Sequence, residues 1–270
     1  MKISGKTILV TGAGGGIGRE LVLALISGGA KVVAVDLKAE FLEDLKKTIK
    51  EDKNFLITRV LDITKKEEVE GLVEDFSKEK IYLDGIINNA GIIQPFAKVN
   101  DLDYSAVERV MNVNFYGPLF LIKSFLPQLL SRPEAHSVNV SSMGGVLPVP
   151  GQSVYGASKA ALKLLTEGLY AELKNTNVKV SAVFPGATKT KIATNSGLKN
   201  MSQKNQDSSQ KIPTLSPQKV AQIIVSGIKK DKFQIFTGGD SKFMNFLYRL
   251  SPKFATNFIA KKMSSLLGKS

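Results

Sequence analysis

Short β-branched runs alternate with helix-length amphipathic segments along most of this chain, and that alternation limits its possible folds more than any other feature. "TILVTG", "KVVAVD", "NFLITRVLD", "LDGIINNAG", "HSVNVSS", "VKVSAVFPG" and "KFQIFTG" read as strands. Between them "IGRELVLALISGG", "KAEFLEDLKKTIKE", "KKEEVEGLVEDFSKE", "DYSAVERVMNVNFYGPLFLIKSFLPQLLS", "SVYGASKAALKLLTEGLYAELKN" and "SPQKVAQIIVSGIKK" read as helices. Strands joined by helix-length crossovers form right-handed βαβ units and a parallel sheet buried on both faces. The expected fold is α/β: a doubly wound, Rossmann-like parallel sheet of about seven strands with helices on both faces, in a single domain. Pro118 and Pro127 fall inside the long fourth helix, where a kink or a loosened turn is expected.

Two segments fall outside the alternation. Residues 191–214, "KIATNSGLKNMSQKNQDSSQKIPT", are polar and are expected to form a mobile lid within a body spanning 1–240. Residues 241–270 read as a tail of two short amphipathic helices split at Ser251-Pro252. The charge is uneven in the same way. From Lys199 onward there are 13 Lys or Arg against three Asp, whereas the first 198 residues carry 24 basic and 21 acidic residues. Phe243, Phe246, Leu247 and Leu250, then Phe254, Phe258, Ile259 and Leu266, recur at helical spacing beside Lys253, Lys261, Lys262 and Lys269. Peripheral contact with an anionic membrane is one expectation for such a tail; packing on the body or on a partner subunit is the other. No nucleic-acid motif accompanies the charge, and nucleic acid is not expected as a partner.

Composition narrows the chemistry. There is no cysteine, so disulfides and thiolate metal sites are excluded. His136 is the sole histidine, which leaves no histidine cluster for zinc, and no metal is expected. It precedes the strand "SVNVSS" and is expected on a surface loop remote from the chemistry. Acid–base work near neutral pH then falls to carboxylate, lysine or tyrosine. No run of 18 apolar residues appears, and "MKISGKTILVTG" has no signal-peptide pattern, so a cytoplasmic location is expected, with the tail allowing contact with a membrane.

The motif "TGAGGGIG" follows the first strand and opens the first helix. Gly12, Gly16 and Gly18 fall where a backbone must turn sharply and approach a pyrophosphate, with Gly14, Gly15 and Ile17 in the same turn. The helix N-terminus offers that anion free N–H groups and a positive dipole end. Asp36 ends the second strand, eighteen residues after Gly18, where a carboxylate accepts hydrogen bonds from ribose hydroxyls; Leu37 follows it. Such a carboxylate repels a 2′-phosphate, which favours NAD over NADP, although Lys38 pulls the other way. Asp62, with Ile63, ends the third strand and either meets the adenine edge or caps the next helix.

These motifs resemble the short-chain dehydrogenase/reductase family in order and spacing over about residues 5–240. "TGAGGGIG" is similar to its Thr-Gly-x-x-x-Gly-x-Gly, "NNAG" (Asn88 to Gly91) to the segment that steadies the central strand and lines the cofactor site, and "YGASK" to its Tyr-x-x-x-Lys. "NVNFYG" carries the helix asparagine, Asn114, and "NVSS" the serine, Ser142, thirteen residues before Tyr155. The resemblance implies a hydride transfer between a nicotinamide cofactor and a hydroxyl or carbonyl group. Cofactor contacts are implied from Asn89, Ala90, Gly91, Tyr155 and Lys159, and from the "PGATKT" loop through Pro185, Gly186, Thr188 and Thr190. Tyr155 is the implied acid/base, Ser142 orients the substrate oxygen, Asn114 holds a water, and Lys159 also binds the nicotinamide ribose. A protonated lysine one helical turn away is expected to lower the phenol pKa. A homodimer or homotetramer is implied, paired through the helices carrying Asn114 and Tyr155.

Ile93, Gln94, Met143 and Val149 are expected along the substrate side, and "MGGVLPVPG" is apolar and small. An apolar small molecule follows: sterol-like, long-chain or aromatic. The tail resembles the basic, apolar tails of some bacterial members of unassigned substrate. Two other readings are a catalytically silent nucleotide-binding protein and a membrane-associated interaction protein. The first is opposed by the joint presence of Asn114, Ser142, Tyr155 and Lys159; the second is compatible with an enzyme.

Overall fold

The computed structural model describes residues 1–49, 53–198 and 214–263. Seven parallel strands form one sheet: β1 (Thr7–Thr11), β2 (Lys31–Asp36), β3 (Leu56–Val60), β4 (Gly85–Asn88), β5 (Ala135–Val140), β6 (Val178–Phe184) and β7 (Gln234–Phe236). Their order is β3-β2-β1-β4-β5-β6-β7. The chain winds outward from β1 in one direction and from β4 in the other. A crevice therefore opens at the strand C-termini between β1 and β4, where such sheets bind ligands.

Alternation along each buried strand supplies both faces. Ile8 and Val10 of β1 point to one side with Val32 of β2, and meet Leu21 and Leu25 of α1 (Gly16–Ser27), Leu42 and Leu45 of α2 (Ala39–Thr48) and Ile224 of α8 (Pro217–Lys229). Leu9, Val33 and Ile86 point to the other. They meet Val69 and Phe76 of α3 (Lys66–Lys78), Leu121 and Phe125 of α5 (Gly117–Leu130) and Leu169 of α6 (Ser153–Leu173). Ser216 caps α8 by accepting from Lys219 N at 3.2 Å, and Pro217 fills its first position, where no N–H is needed.

The long fourth helix of the sequence reading is interrupted. α4 (Tyr104–Met111) passes into a π-helical turn, Asn112–Tyr116, before α5 begins. Pro118 has no N–H to give the carbonyl of Asn114, so the ordinary ladder cannot run through this point. Pro127 stays inside α5.

His136 overturns a second expectation. It belongs to β5, not to a loop before it, and is 1% exposed. β5 runs between β4 and β6, so its first residues are covered from both sides. The Ser181 hydroxyl donates to Lys232 O at 2.6 Å, so the imidazole gives its Nε2–H to Ser181 Oγ at 2.8 Å. Among the described residues, Nδ1 has no hydrogen-bond partner. Burial first, then the nearby Met1 ammonium, lowers the ring to about 4; Asp231 opposes them and Lys179 adds to the lowering.

After β6 comes α7 (Ile192–Asn195), and after β7 come α9 (Gly239–Leu250) and α10 (Pro252–Met263), broken at Ser251. Of the lid expected over 191–214, residues 199–213 lie outside the described residues, as do Leu266 and Lys269 of the tail. No helix among the described residues is long and apolar enough to cross a membrane.

Candidate active site

The crevice is built from the end of β1. Thr11 Oγ1 accepts the N–H groups of Asn89 and Ala90, both at 3.0 Å, and Asn89 Nδ2 donates to Thr11 O at 3.0 Å and Gly12 O at 3.3 Å. These bonds tie the ends of β1 and β4 together. The glycine turn that follows has two residues in left-handed backbone, Gly12 (φ 62°) and Gly16 (φ 52°), conformations that L side chains resist. Gly18 is needed for closeness instead: a Cβ there would lie 2.6 Å from Asn89 Nδ2 and closer still to Gly12 O. α1 starts at Gly16 with no side-chain cap and no acidic residue in its first turn, which leaves N–H groups for an anion. Asp36 closes the far end: its Oδ2 accepts from Gly14 N at 2.9 Å and its Oδ1 from Lys38 N at 3.2 Å.

The other wall is the end of β5 and the start of α6. Ser142 Oγ accepts from Gly144 N at 3.0 Å and is hydrogen-bonded to the Tyr155 phenol. Lys159 is 4% exposed, and its Nζ donates to Val140 O at 2.9 Å. Ser141 Oγ donates to Lys159 O at 2.8 Å, fastening β5 to the helix. A Cβ on Gly91 would stand 3.1 Å from Lys159 Nζ and 3.2 Å from Asn114 Oδ1, so a side chain there would press on both and narrow the gap between them.

The electrostatics differ from the sequence expectation. Desolvation raises the Tyr155 phenol above its ordinary value, and the influence that lowers it is the Ser142 hydrogen bond. Lys159 is lowered to about 8 by burial. Burial outweighs what favours the phenolate, and the Lys159 ammonium is itself desolvated and donates to a backbone carbonyl.

One cavity of about 700 Å3 joins the two walls. It is lined by Gly12, Gly15, Gly16 and Ile17, by Asp36 and Leu37, by Asp62 and Ile63, and by Asn89, Ala90 and Gly91. Ile93, Ser142, Tyr155 and Lys159 line its far end, and Pro185, Gly186, Thr188 and Thr190 cover it. Gly14 and Gly18 shape the turn from behind the lining.

Three residues expected along the substrate side stand elsewhere. Gln94 does not face a substrate. It is fully buried; its Oε1 accepts from Val154 N at 2.8 Å and Tyr155 N at 3.0 Å, and its Nε2 donates to Gly151 O at 3.0 Å. An amide set against a bare helix N-terminus is drawn in to satisfy it. Met143 and Val149 lie half-buried in the β5–α6 loop, outside the cavity lining. Asn114 is buried and bonds Ile92 N at 2.9 Å, Ile92 O at 2.9 Å and Ser158 Oγ at 3.0 Å. Asp62 makes a local turn rather than a helix cap, accepting from Thr64 N at 3.0 Å and Thr64 Oγ1 at 2.7 Å, while Lys65 holds the cap position of α3.

Sequence reasoning missed Thr11, whose hydroxyl joins the two central strands, although it stands first in the motif. It also missed Ser196, whose Oγ accepts from Ile93 N at 3.0 Å and holds the end of α7 against the β4 loop. No local pattern signals that bond. Asn195 places its Nδ2 3.6 Å from where a Cβ on Gly15 would be, so α7 lies across the glycine turn.

Comparison with known proteins agrees with this geometry. Residues 6–200 match the family model described as short chain dehydrogenase. The chain is 31% identical to the oxidoreductase SadH of Mycobacterium tuberculosis over 258 residues, 91% of each protein. It is 33% identical to an uncharacterized oxidoreductase of Staphylococcus saprophyticus over 194 residues, 72% of this chain and 82% of that one. Among solved structures, a short-chain dehydrogenase of Burkholderia cenocepacia in complex with NADP superposes with a TM-score of 0.79 at 26% identity, covering 96% of this chain and 99% of the other. One from Burkholderia phymatum in complex with NAD shares the fold, with a TM-score of 0.83 at 24% identity over 94% and 96%. Fold and site define an NAD(P)-dependent oxidoreductase acting on CH–OH groups. The chain belongs to the short-chain dehydrogenase/reductase family.

Proposed function

We propose that the enzyme uses NAD in preference to NADP and acts on an apolar secondary alcohol or ketone. The observation that carries the cofactor choice is the Asp36 carboxylate, which lines the cavity at the end of β2 with its oxygens on backbone N–H groups. A 2′-phosphate there would meet a fixed negative charge. The residues fit the cofactor: the glycine turn admits no Cβ at Gly18, and the gap at Gly91 opens beside Lys159.

When bound, the nicotinamide accepts or supplies the hydride. The chain's own part is to handle the proton and hold the oxygen. In this proposal Ser142 orients the substrate oxygen, and Tyr155, a neutral phenol in this site, donates to it. That is the protonation state carbonyl reduction needs. Lys159 holds the ribose. Ile92, Ile93 and Ile192 are among the residues that line the cavity, which supports an apolar molecule.

NADH is expected to bind about tenfold tighter than NADPH or better, and Asp36→Ala to narrow that gap. Fluorescence titration of both reads the first point; tighter NADPH binding by the native protein would refute it. Cofactor oxidation with a panel of apolar and carboxylated ketones reads the second, and faster turnover of the carboxylated set would overturn the substrate class.

The same proposal includes a homodimer or homotetramer paired through α4–α5 and α6. Tyr116 before α5 and Leu164 on α6 leave large apolar surface exposed, which supports it. Light scattering at micromolar concentration is expected to give a multiple of 29.2 kDa. A monomer alone would count against the pairing.

A further inference from the structure

α9 and α10 carry an apolar surface that the other described residues leave exposed. Phe243, Phe246 and Leu250 follow one face of α9, and Phe254 and Phe258 stack one turn apart on α10 with ring centroids 6.4 Å apart. All five side chains are between 39% and 66% exposed. Scattered exposed apolar residues are ordinary; five large ones on two consecutive helices mark an interaction surface.

Charge identifies the occupant. Lys242, Arg249, Lys253 and Lys262 are exposed on the same two helices, with Lys262 Nζ 5.4 Å from the centre of the Phe258 ring. Asp240 is the one acidic residue between 239 and 263. A second copy seated face to face would set cation against cation with almost no acid to relieve them. A surface of lipid phosphates accepts the cations, and the headgroup boundary accepts the rings. We propose that α9 and α10 dock the enzyme reversibly on an anionic membrane surface.

The docking face is joined to the active site. α9 packs against the turn Met143–Gly145, which follows Ser142 directly. At its start the Asp240 carboxylate lies over Gly186 on the cavity wall, close enough that a Cβ on Gly186 would collide with it. A docked enzyme would thus set α9 between the lipid and the loop that follows Ser142. The docking itself stands independently of the substrate proposal, because it is read by binding without turnover.

The full chain is to be sedimented with vesicles of phosphatidylcholine alone or with phosphatidylserine added. Expected is binding to the anionic vesicles at about 0.1 M salt, weaker by about tenfold on phosphatidylcholine or at about 1 M salt, where the Debye length is about 3 Å. Phe243→Ser with Phe246→Ser and Phe254→Ser, and separately Lys242→Glu with Lys253→Glu, should each weaken anionic binding by about tenfold. NADH affinity and melting temperature should stay unchanged in both variants. Protein that remains in the supernatant at low salt overturns the proposal. So does a serine variant that lowers the oligomeric mass, since the face then belongs to a second copy; so does one that lowers the melting temperature, since the helices then serve the body.

Discussion

Turnover by Tyr155→Phe is expected to fall by about 10²–10⁴-fold, with NADH affinity nearly unchanged. The substitution removes one oxygen and leaves the ring. The ring is confined: a Cβ on Gly144 would lie 3.2 Å from Tyr155 Cε1, and the backbone N–H of Tyr155 is held by Gln94. Phenylalanine therefore occupies the same place without a proton to give. Ser142 loses its phenol partner but keeps its bond to Gly144 N. Lys159→Ala should behave differently and lose both turnover and cofactor affinity, because it borders the gap at Gly91 and the phenol alike. Steady-state rates beside a fluorescence titration separate the two variants. Turnover by Tyr155→Phe above about 1% of native would mean that another group moves the proton.

Acidification is expected to destabilise the fold through one residue. His136 takes its proton at about 4 when folded and at its ordinary 6.5 when unfolded. Between those values the unfolded chain binds more protons, so stability falls as pH falls. The contribution is complete above pH 6.5 and is lost on the way down to about 4, an overall loss of about 3 kcal/mol, with about 2 kcal/mol gone by pH 5. The chain has no other histidine to blur that window. Urea melts at pH 7 and pH 5 on the native protein and on His136→Gln read the effect directly. The variant should show most of the slope removed, since an amide can still bond Ser181 without taking a proton. An unchanged slope would place the acid sensitivity among the carboxylates.

The sheet was legible because its signals are local: β-branched runs bounded by glycine, and helices with one apolar face. The glycine turn was legible for the same reason, since a strand, a turn and a helix follow one another within the motif. What escaped depends on neighbours distant in sequence. His136 reads as polar and loop-like until β6 supplies Ser181 and covers it. Gln94 reads as part of a pocket wall until α6 presents its unsatisfied N–H groups. The π turn at Asn112–Tyr116 was hinted at by Pro118, but its form depends on Asn114 finding Ile92 and Ser158. The balance between Tyr155 and Lys159 was misjudged because spacing reports proximity and not desolvation.

The Gln94 cap has an electrical side. α6 begins two residues before Tyr155, so the phenol belongs to the end of the helix where the backbone dipole is positive. Helix starts commonly carry an acidic residue, and a carboxylate could accept the same two bonds from Val154 and Tyr155. Its charge would then oppose any negative charge on the phenol oxygen. The neutral amide satisfies the N–H groups and adds no charge. The positive end of α6 is left uncancelled at the residue proposed to exchange a proton with the substrate.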